Sequence, residues 1–352
     1  MSDFFLVFCL TIPSAVIFLY RMWPKAQVCN ESSVGWLAGR VTIIIPARNE
    51  EENLKILLPS LNSIDDDDFE VMVVNDHSTD NTVGVCQDFG VRVVDAPPKP
   101  DDWLGKTWAC HYGAGLSSSP ILLFTDADTE HLRGSLKNMR SFMGAHHLDL
   151  CSAIPFHKAP SVWEKMLGPF HMILLMATAP FQKPKSKRVF AIGQYLMFRA
   201  EAYRSIHGHT NVRGQIAEDL GLASCCIDAK LLYGVYPSAV IFHVRMYQTL
   251  LEHIAGWRRN FRVGMKRSSL VVGVETSIVF ASLLSMTKPG AWPSIALILV
   301  FMACTQRRYG EFSIFGVLFY PFSLFVFCLI SLLAVVDSVR KAPFQWKGRV
   351  FR

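Results

Sequence analysis

Charge is scarce in this sequence. Only 18% of its 352 residues are Asp, Glu, Lys or Arg, against about 25% in an average soluble domain. With 51% hydrophobic residues and a mean hydropathy of +0.27, the chain is too apolar for a purely soluble protein. It is also too charged to lie wholly in a membrane. Its 25 Phe and 8 Trp exclude a disordered chain. The nine cysteines form no C-x-x-C pair, and Cys225 and Cys226 are adjacent. That spacing suits neither an ordinary zinc site nor a disulfide framework, and it fits a reducing compartment. Internal repeats and low-complexity tracts are missing. So is a phosphate loop: Gly105-Lys106-Thr107 has the right ending, but Pro100 stands where the first glycine is required. Gly113 and Gly115 resemble half a dinucleotide fingerprint, with Ser118 in the third place and no strand before them, so a nicotinamide site is not expected.

The apolar residues gather at the two ends. Phe4 to Tyr20 carries no charge and is followed by Arg21 and Lys25. A run of about 17 residues is the short end of a bilayer-spanning helix. The rival reading, a cleaved signal, lacks a basic segment in front of the run. Toward the other end, Ser268 to Met286 is apolar except for Glu275, Trp292 to Cys304 is short, and Phe312 to Val336 is interrupted by Pro321. Three full spans would leave the basic tail outside, so the short run or the proline-broken run is expected not to cross. Glu275 at membrane depth reads either as a helix-packing contact or as a functional group. The Lys/Arg bias places the middle of the chain in the cytoplasm. Asn30-Glu31-Ser32 matches a glycosylation sequon, which this topology would leave unused. The expected organisation is an anchor over 1–25, a soluble domain over 41–245, an interfacial helix over 246–267, transmembrane helices over 268–336 and a basic tail over 337–352. The net charge of +6 calls for no nucleic acid. Its excess lies beside the apolar runs and reads as anchoring to anionic headgroups.

Between the ends the pattern is that of an α/β domain. Val41 to Ile45 is a β-branched run closed by Pro46 that reads as a buried parallel strand, and Val71 to Val74, Val91 to Val94 and Ile121 to Phe124 are further strands. Leu54, Leu57, Leu58 and Leu61 have helical spacing, and Ser78-Thr79-Asp80 caps the next helix. Alternation of this kind predicts an open, mostly parallel sheet with helices on both faces. Ligands bind at the carboxyl ends of such strands. Asp76, Asp126 and Asp128 stand at those ends. Asp65 to Asp68 reads as a solvated acidic loop.

The strongest chemical signal is Asp126-Ala-Asp128. Two carboxylates at i and i+2 on a strand exit can point into one cleft, one toward a ribose and the other toward a hard divalent cation. The bland alternative is a helix cap with Thr129 and Glu130. The pair has company, however: Pro46-Ala-Arg48-Asn-Glu50-Glu51 after the first strand, Asn75-Asp76-His77-Ser78-Thr79-Asp80 after the second, Glu218-Asp219 downstream, and Trp257-Arg258-Arg259-Asn-Phe-Arg262 later.

Taken in order, IPARNEE, VVNDHSTDNT, GKTWA, TDAD and AEDLGLA resemble the family 2 glycosyltransferases of the GT-A fold, over about Val41 to Lys266. The apolar flanks and the terminal QWKGR are similar to membrane-bound members. Arg245 to Met265 looks most like the carotenoid glycosyltransferases that act on diaponeurosporenoate; hopanoid-associated members are similar, and ceramide glucosyltransferase is more distant. The resemblance implies an α/β, Rossmann-like GT-A domain flanked by transmembrane helices. It implies that Pro46, Arg48 and Glu50 hold the uridine and that Asp76 accepts from the uracil N–H. Lys106 would lie near the diphosphate or uracil, Asp126 on the ribose side and Asp128 on Mg²⁺ or Mn²⁺. Asp219, after Glu218, would be the general base, and Trp257 with Arg258 or Arg259 would close over acceptor and diphosphate. One element departs from processive and ceramide-type members: Trp257 precedes the arginines, which argues against a polymerase. His243 is read either as a further metal ligand or as structural. The implied partners are a UDP-sugar, a lipid acceptor and the membrane. Transfer of a sugar, glucose above all, to a carotenoid acid or related isoprenoid leads, with another lipid acceptor or a membrane nucleotidyltransferase as alternatives. Pro155 to Pro180 is too apolar for an exposed helix, and reads either as domain core or as an interfacial helix beside a lipid channel.

Overall fold

The computed structural model describes residues 2–22, 35–180, 189–267, 270–288, 291–340, 344–346 and 349–351. Lys25, the sequon at Asn30 and the Lys347-Gly348 part of the tail lie outside them, as do the side chains of Lys266, Arg267 and Glu275. The chain divides into two units, Lys25–His157 with Lys183–Arg245, and Met1–Pro24 with Lys158–Gln182 and Met246–Arg352.

The first unit is the expected α/β domain. Its strands are β1 (Val41–Ala47), β2 (Phe69–Asn75), β3 (Arg92–Asp95), β4 (Ile121–Phe124), β5 (Thr129–His131), β6 (Leu150–Ala153), β7 (Phe156–His157), β8 (Leu196–Arg199), β9 (Tyr233–Tyr236) and β10 (Phe242–Val244). The large sheet has the order β3-β2-β1-β4-β8-β6-β9. All its neighbours run parallel except β8, which is antiparallel to β4 and β6. Ile43, Ile44 and Ile45 of β1 are fully buried, as a β-branched run in a two-faced sheet requires. Leu54, Leu57, Leu58 and Leu61 bury one face of helix Glu51–Asn62 as their spacing predicts. A small second sheet, β5-β10-β7, holds His243 opposite Glu130, with its ring 4.9 Å from Phe156.

The acidic loop is a correction. Asp66 is not solvated: its carboxylate lies 2.9 Å from Nε of Arg140, and the two side chains are 8% and 2% exposed. Arg140 also donates to the carbonyls of Leu37, Gly39 and Asp68. One buried guanidinium thus ties the segment before β1 to the loop before β2. Asp66→Ala removes the near countercharge of the buried guanidinium, leaving Asp68 at 3.9 Å and the carbonyls, and is expected to destabilise the fold by about 3 kcal/mol. Asp67→Ala, at an exposed position, should cost less than about 0.5 kcal/mol. Urea unfolding of the two variants distinguishes the cases.

The second unit is helical. It contains Ser2–Met22, Val162–Met166, Gly168–Thr178, Leu250–Arg267, Leu270–Leu284, Trp292–Thr305, Ile314–Leu318 and Tyr320–Arg340, with the paired strands Phe344–Trp346 and Arg349–Phe351. Among the described residues, one helix, Tyr320–Arg340, is long and apolar enough to cross a membrane. The several flanking spans expected from the sequence are therefore not established: Leu270–Leu284 and Trp292–Thr305 have 15 and 14 residues. Pro321 stands where the last apolar run divides, as Ile314–Leu318 ends and a second helix begins. It sits in the first turn of Tyr320–Arg340, where its missing N–H has no helical partner to lose. Arg21, which with Lys25 sets the expected orientation, is 4% exposed and donates to the Met176 carbonyl at 3.5 Å. The apolar stretch 158–180 belongs to this unit and not to the α/β domain, and Phe170, Met172, Ile173 and Met176 of Gly168–Thr178 are buried in it.

Candidate active site

Two loops follow β1 and β2 at the carboxyl edge of the large sheet. They are laced together residue by residue. Asn49, with φ 53°, donates its N–H to Ser78 Oγ at 3.0 Å and accepts from the Thr79 N–H at 2.8 Å. The Glu50 N–H reaches Thr82 Oγ1 at 2.9 Å, and the Glu51 N–H reaches Asp80 at 3.1 Å. The Asp76 N–H donates to the Ala47 carbonyl at 2.8 Å. Arg48 lies 3.7 Å from the Asp76 carboxylate, which is 8% exposed. Pro46 pairs with Val74 in register inside β1, which runs one residue past it. Pro46, Arg48, Glu50 and Asp76 thus come together where β1 and β2 end.

Next to them, Asp126 and Asp128 leave β4. The segment runs on into β5 and not into a helix, so the helix-cap alternative for this pair falls. Lys106, on helix Gly105–Leu116, places its ammonium 2.7 Å from Asp126 and 2.8 Å from Glu218. Burial works against that charge, yet the carboxylates of Asp126 and Glu218 outweigh it and hold the lysine well above its ordinary pKa. The Asp128 carboxyl is driven up to about 7 by burial and then by the charges of Asp126 and Glu50. Asp219 is also raised to about 7, by burial and the adjacent Glu218. Both its oxygens are held, one by the Gly193 N–H at 2.9 Å and one by the Leu220 N–H at 2.7 Å.

Two residues of this group are not evident from the sequence. Gln194 directs its amide at both oxygens of Asp128, at 3.3 and 3.4 Å. Gly193 lies so close to the charged cluster that a Cβ would meet Lys106 Nζ at 3.0 Å and Glu218 Oε1 at 3.1 Å. Their position follows from β8. Because that strand is antiparallel, the residues before it lie at the carboxyl end of β4, where Thr125 Oγ1 donates to the Gln194 carbonyl at 2.8 Å. A Gly-Gln pair in front of a hydrophobic strand is the only signal the sequence carries for them.

The charge balance of the cluster bears on a cation. Among the described residues no group of three or more His, Cys, Asp or Glu could hold a metal ion unaided. Asp128 nevertheless carries a carboxyl that its neighbours make costly to ionise. One or two carboxylates completed by phosphate oxygens and water are the usual surroundings of Mg²⁺ or Mn²⁺, so the donor set fits such an ion arriving with a diphosphate. Trp257, Arg258 and Arg259 lie on helix Leu250–Arg267 of the helical unit. There Arg258 makes a two-pronged ion pair with Asp337, and Trp257 packs 5.6 Å from Phe170.

Residues 42–206 match the family described as Glycosyl transferase family 2. With the named relatives below, that match makes the chain a glycosyltransferase. This glycosyltransferase is 27% identical over 360 residues to a 4,4'-diaponeurosporenoate glycosyltransferase of Staphylococcus aureus (strain MRSA252), covering 96% of this chain and 93% of that one. It is 28% identical over 337 residues to the protein of the same name from Staphylococcus haemolyticus (strain JCSC1435), covering 88% of each. Among solved structures it is similar to the mannosyltransferase PcManGT from Pyrobaculum calidifontis in complex with GDP-Man and Mn²⁺, with a TM-score of 0.60 and 15% identity over 97% of this chain and 99% of that one. At that identity the likeness establishes the GT-A fold of the glycosyltransferase and nothing finer.

Proposed function

We propose that the protein transfers a sugar from a UDP-sugar to a lipid acceptor at a membrane surface, and that the acceptor is a carotenoid acid or a related isoprenoid. The observation that carries the reading is the Asp126–Asp128 pair at the end of β4, beside Asp76, Glu50 and Lys106. Asp76 accepts from the uracil N–H, the loop Pro46–Glu50 lies along the nucleoside, and Asp126 faces the ribose. Asp128 would hold Mg²⁺ or Mn²⁺, which, when bound, offsets the negative charge that develops on the departing diphosphate. Asp219 stands with fixed oxygens to take the proton of a hydroxyl acceptor. Attack opposite the leaving group inverts the anomeric carbon. The relatives named for diaponeurosporenoate support the acceptor class.

The membrane reading rests on the helical unit. Phe325, Leu332 and Val339 of Tyr320–Arg340 are 64%, 61% and 78% exposed, as are Phe315, Leu318 and Phe319 at 61–64% just before it. An apolar surface of this extent calls for a partner, and a bilayer supplies one. The catalytic α/β unit then faces the cytoplasm, as the Lys/Arg bias indicates.

Titration of the detergent-purified protein with UDP and GDP, with and without Mn²⁺, tests the donor. UDP is expected to bind at least tenfold more tightly than GDP, and more tightly with the ion than without it. Preference for GDP, or binding indifferent to the ion, would overturn the donor assignment.

A further inference from the structure

Residues 192–195 of the α/β unit, which lead into β8, are tied down one by one. The Ile192 N–H donates to Ser152 Oγ at 3.0 Å, and the Ile192 carbonyl accepts from the Tyr195 N–H at 3.2 Å. The Gly193 N–H goes to Asp219 at 2.9 Å, and the Gln194 carbonyl accepts from Thr125 Oγ1 at 2.8 Å. Thr125 is buried, and its hydroxyl lies 3.0 Å from Nε2 of His131, which is buried too. The backbone under Gln194 is therefore fixed from inside the domain. From this base the Gln194 side chain, itself buried, reaches Asp128.

One amide nitrogen stands 3.3 and 3.4 Å from the two oxygens of Asp128, nearly midway between them. These are long hydrogen bonds, which steer a carboxylate more than they satisfy it. A carboxylate has about four acceptor sites, so a donor set between its oxygens leaves the outer site of each one open. The donor also carries no charge. Lys106, the ammonium of this cluster, is taken by Asp126 and Glu218. A lysine or arginine in place of Gln194 would neutralise the charge that a divalent ion needs, whereas an amide turns the group and leaves that charge in place. Carboxylates that bind metals are commonly hydrogen-bonded in turn, and loss of the partner weakens the site.

We infer that Gln194 is a positioning residue for the divalent ion: it fixes the plane of the Asp128 carboxylate while leaving its charge and outer lone pairs for Mg²⁺ or Mn²⁺. Because Gly193 of the same segment holds Asp219, one brace sets the ion-side carboxylate and the base together. This rests on the reading of Asp128 as the carboxylate that meets the ion, and adds the residue that prepares it.

Mn²⁺ binding to the detergent-purified full chain, followed by electron paramagnetic resonance with and without UDP, tests the assignment. Gln194→Met keeps the length of the side chain and removes the amide. It is expected to weaken Mn²⁺ in the presence of UDP about tenfold, the low end for loss of a ligand's hydrogen-bond partner, and to leave ion-free UDP affinity within about twofold. Gln194→Asn keeps an amide on a chain one methylene shorter. It should weaken Mn²⁺ by a similar factor, so the result does not hang on one variant folding. Thermal unfolding without the ion should place both variants within a few degrees of the parent. Unchanged Mn²⁺ affinity in both would overturn the inference. So would tighter binding, which would mean that the amide competes with the ion for Asp128. An equal loss of ion-free UDP binding would overturn it too, because Gln194 would then serve the fold or the nucleoside. Failure of the underlying reading looks different: UDP would not tighten Mn²⁺ binding in the parent itself, whatever the variants do.

Discussion

Asp128→Asn is expected to lower turnover by roughly 10²–10³-fold, the usual cost of removing a group that stabilises transition-state charge. Asparagine keeps the shape of the side chain and an oxygen for the Gln194 amide, and loses the charge. In the parent that charge is opposed by burial and by Asp126 and Glu50. Its removal relieves the fold, so thermal stability should hold or rise while activity falls. Mn²⁺-dependent tightening of UDP binding should fall with it. Rates of UDP release, read beside thermal unfolding, separate the two effects. Unchanged turnover would take Asp128 out of the diphosphate site, and lost activity with lost stability would point to a structural role.

The second large effect is expected at Asp219, and its size reports the acceptor. A general base supplies about 10²–10⁴-fold, so Asp219→Asn should reduce kcat by that factor with a hydroxyl-bearing lipid and leave UDP affinity within about threefold. A carboxylate acceptor arrives without the proton, and the loss should then stay below about tenfold. The pH profile gives an independent reading. Asp219 is held near 7, above its ordinary value, by burial and Glu218. The base works when ionised, so with a hydroxyl acceptor kcat should rise with pH through about 7 and level off above it. In Asp219→Asn that rise should vanish. A parent profile flat from pH 5 to 8 with a hydroxyl acceptor would contradict the assignment.

The α/β frame was legible in the sequence because its signals are local. The run Val41 to Ile45 admits little but a buried strand, and Asp76, Asp126 and Asp128 follow strands directly. What escaped depends on contacts between distant segments. Gly193 and Gln194 reach Asp219 and Asp128 because β8 runs against its neighbours, a matter of strand direction that periodicity does not encode. Asp66 looks solvated beside three other aspartates until Arg140 is placed against it. Arg258, which the resemblance sets with Trp257 or as an alternative to Arg259 over acceptor and diphosphate, pairs with Asp337, 79 positions on, a contact no local pattern announces. Residues 158–180 are apolar enough for either unit, and composition does not choose between them. Composition does not fix the number of spans for a related reason: apolar runs of 14 or 15 residues serve equally as buried helices of a packed bundle and as short membrane segments.

The most direct test is incubation of the purified full-length protein with a panel of UDP-sugars, Mg²⁺ or Mn²⁺ and a total lipid extract, followed by UDP measurement and mass spectrometry of the lipids. Ion-dependent UDP release together with a lipid heavier by one hexose is the expected result, and the mass of that lipid names the acceptor. Pyrophosphate in place of UDP would mean nucleotidyl transfer. No release with any UDP-sugar from folded protein would contradict the UDP-sugar donor.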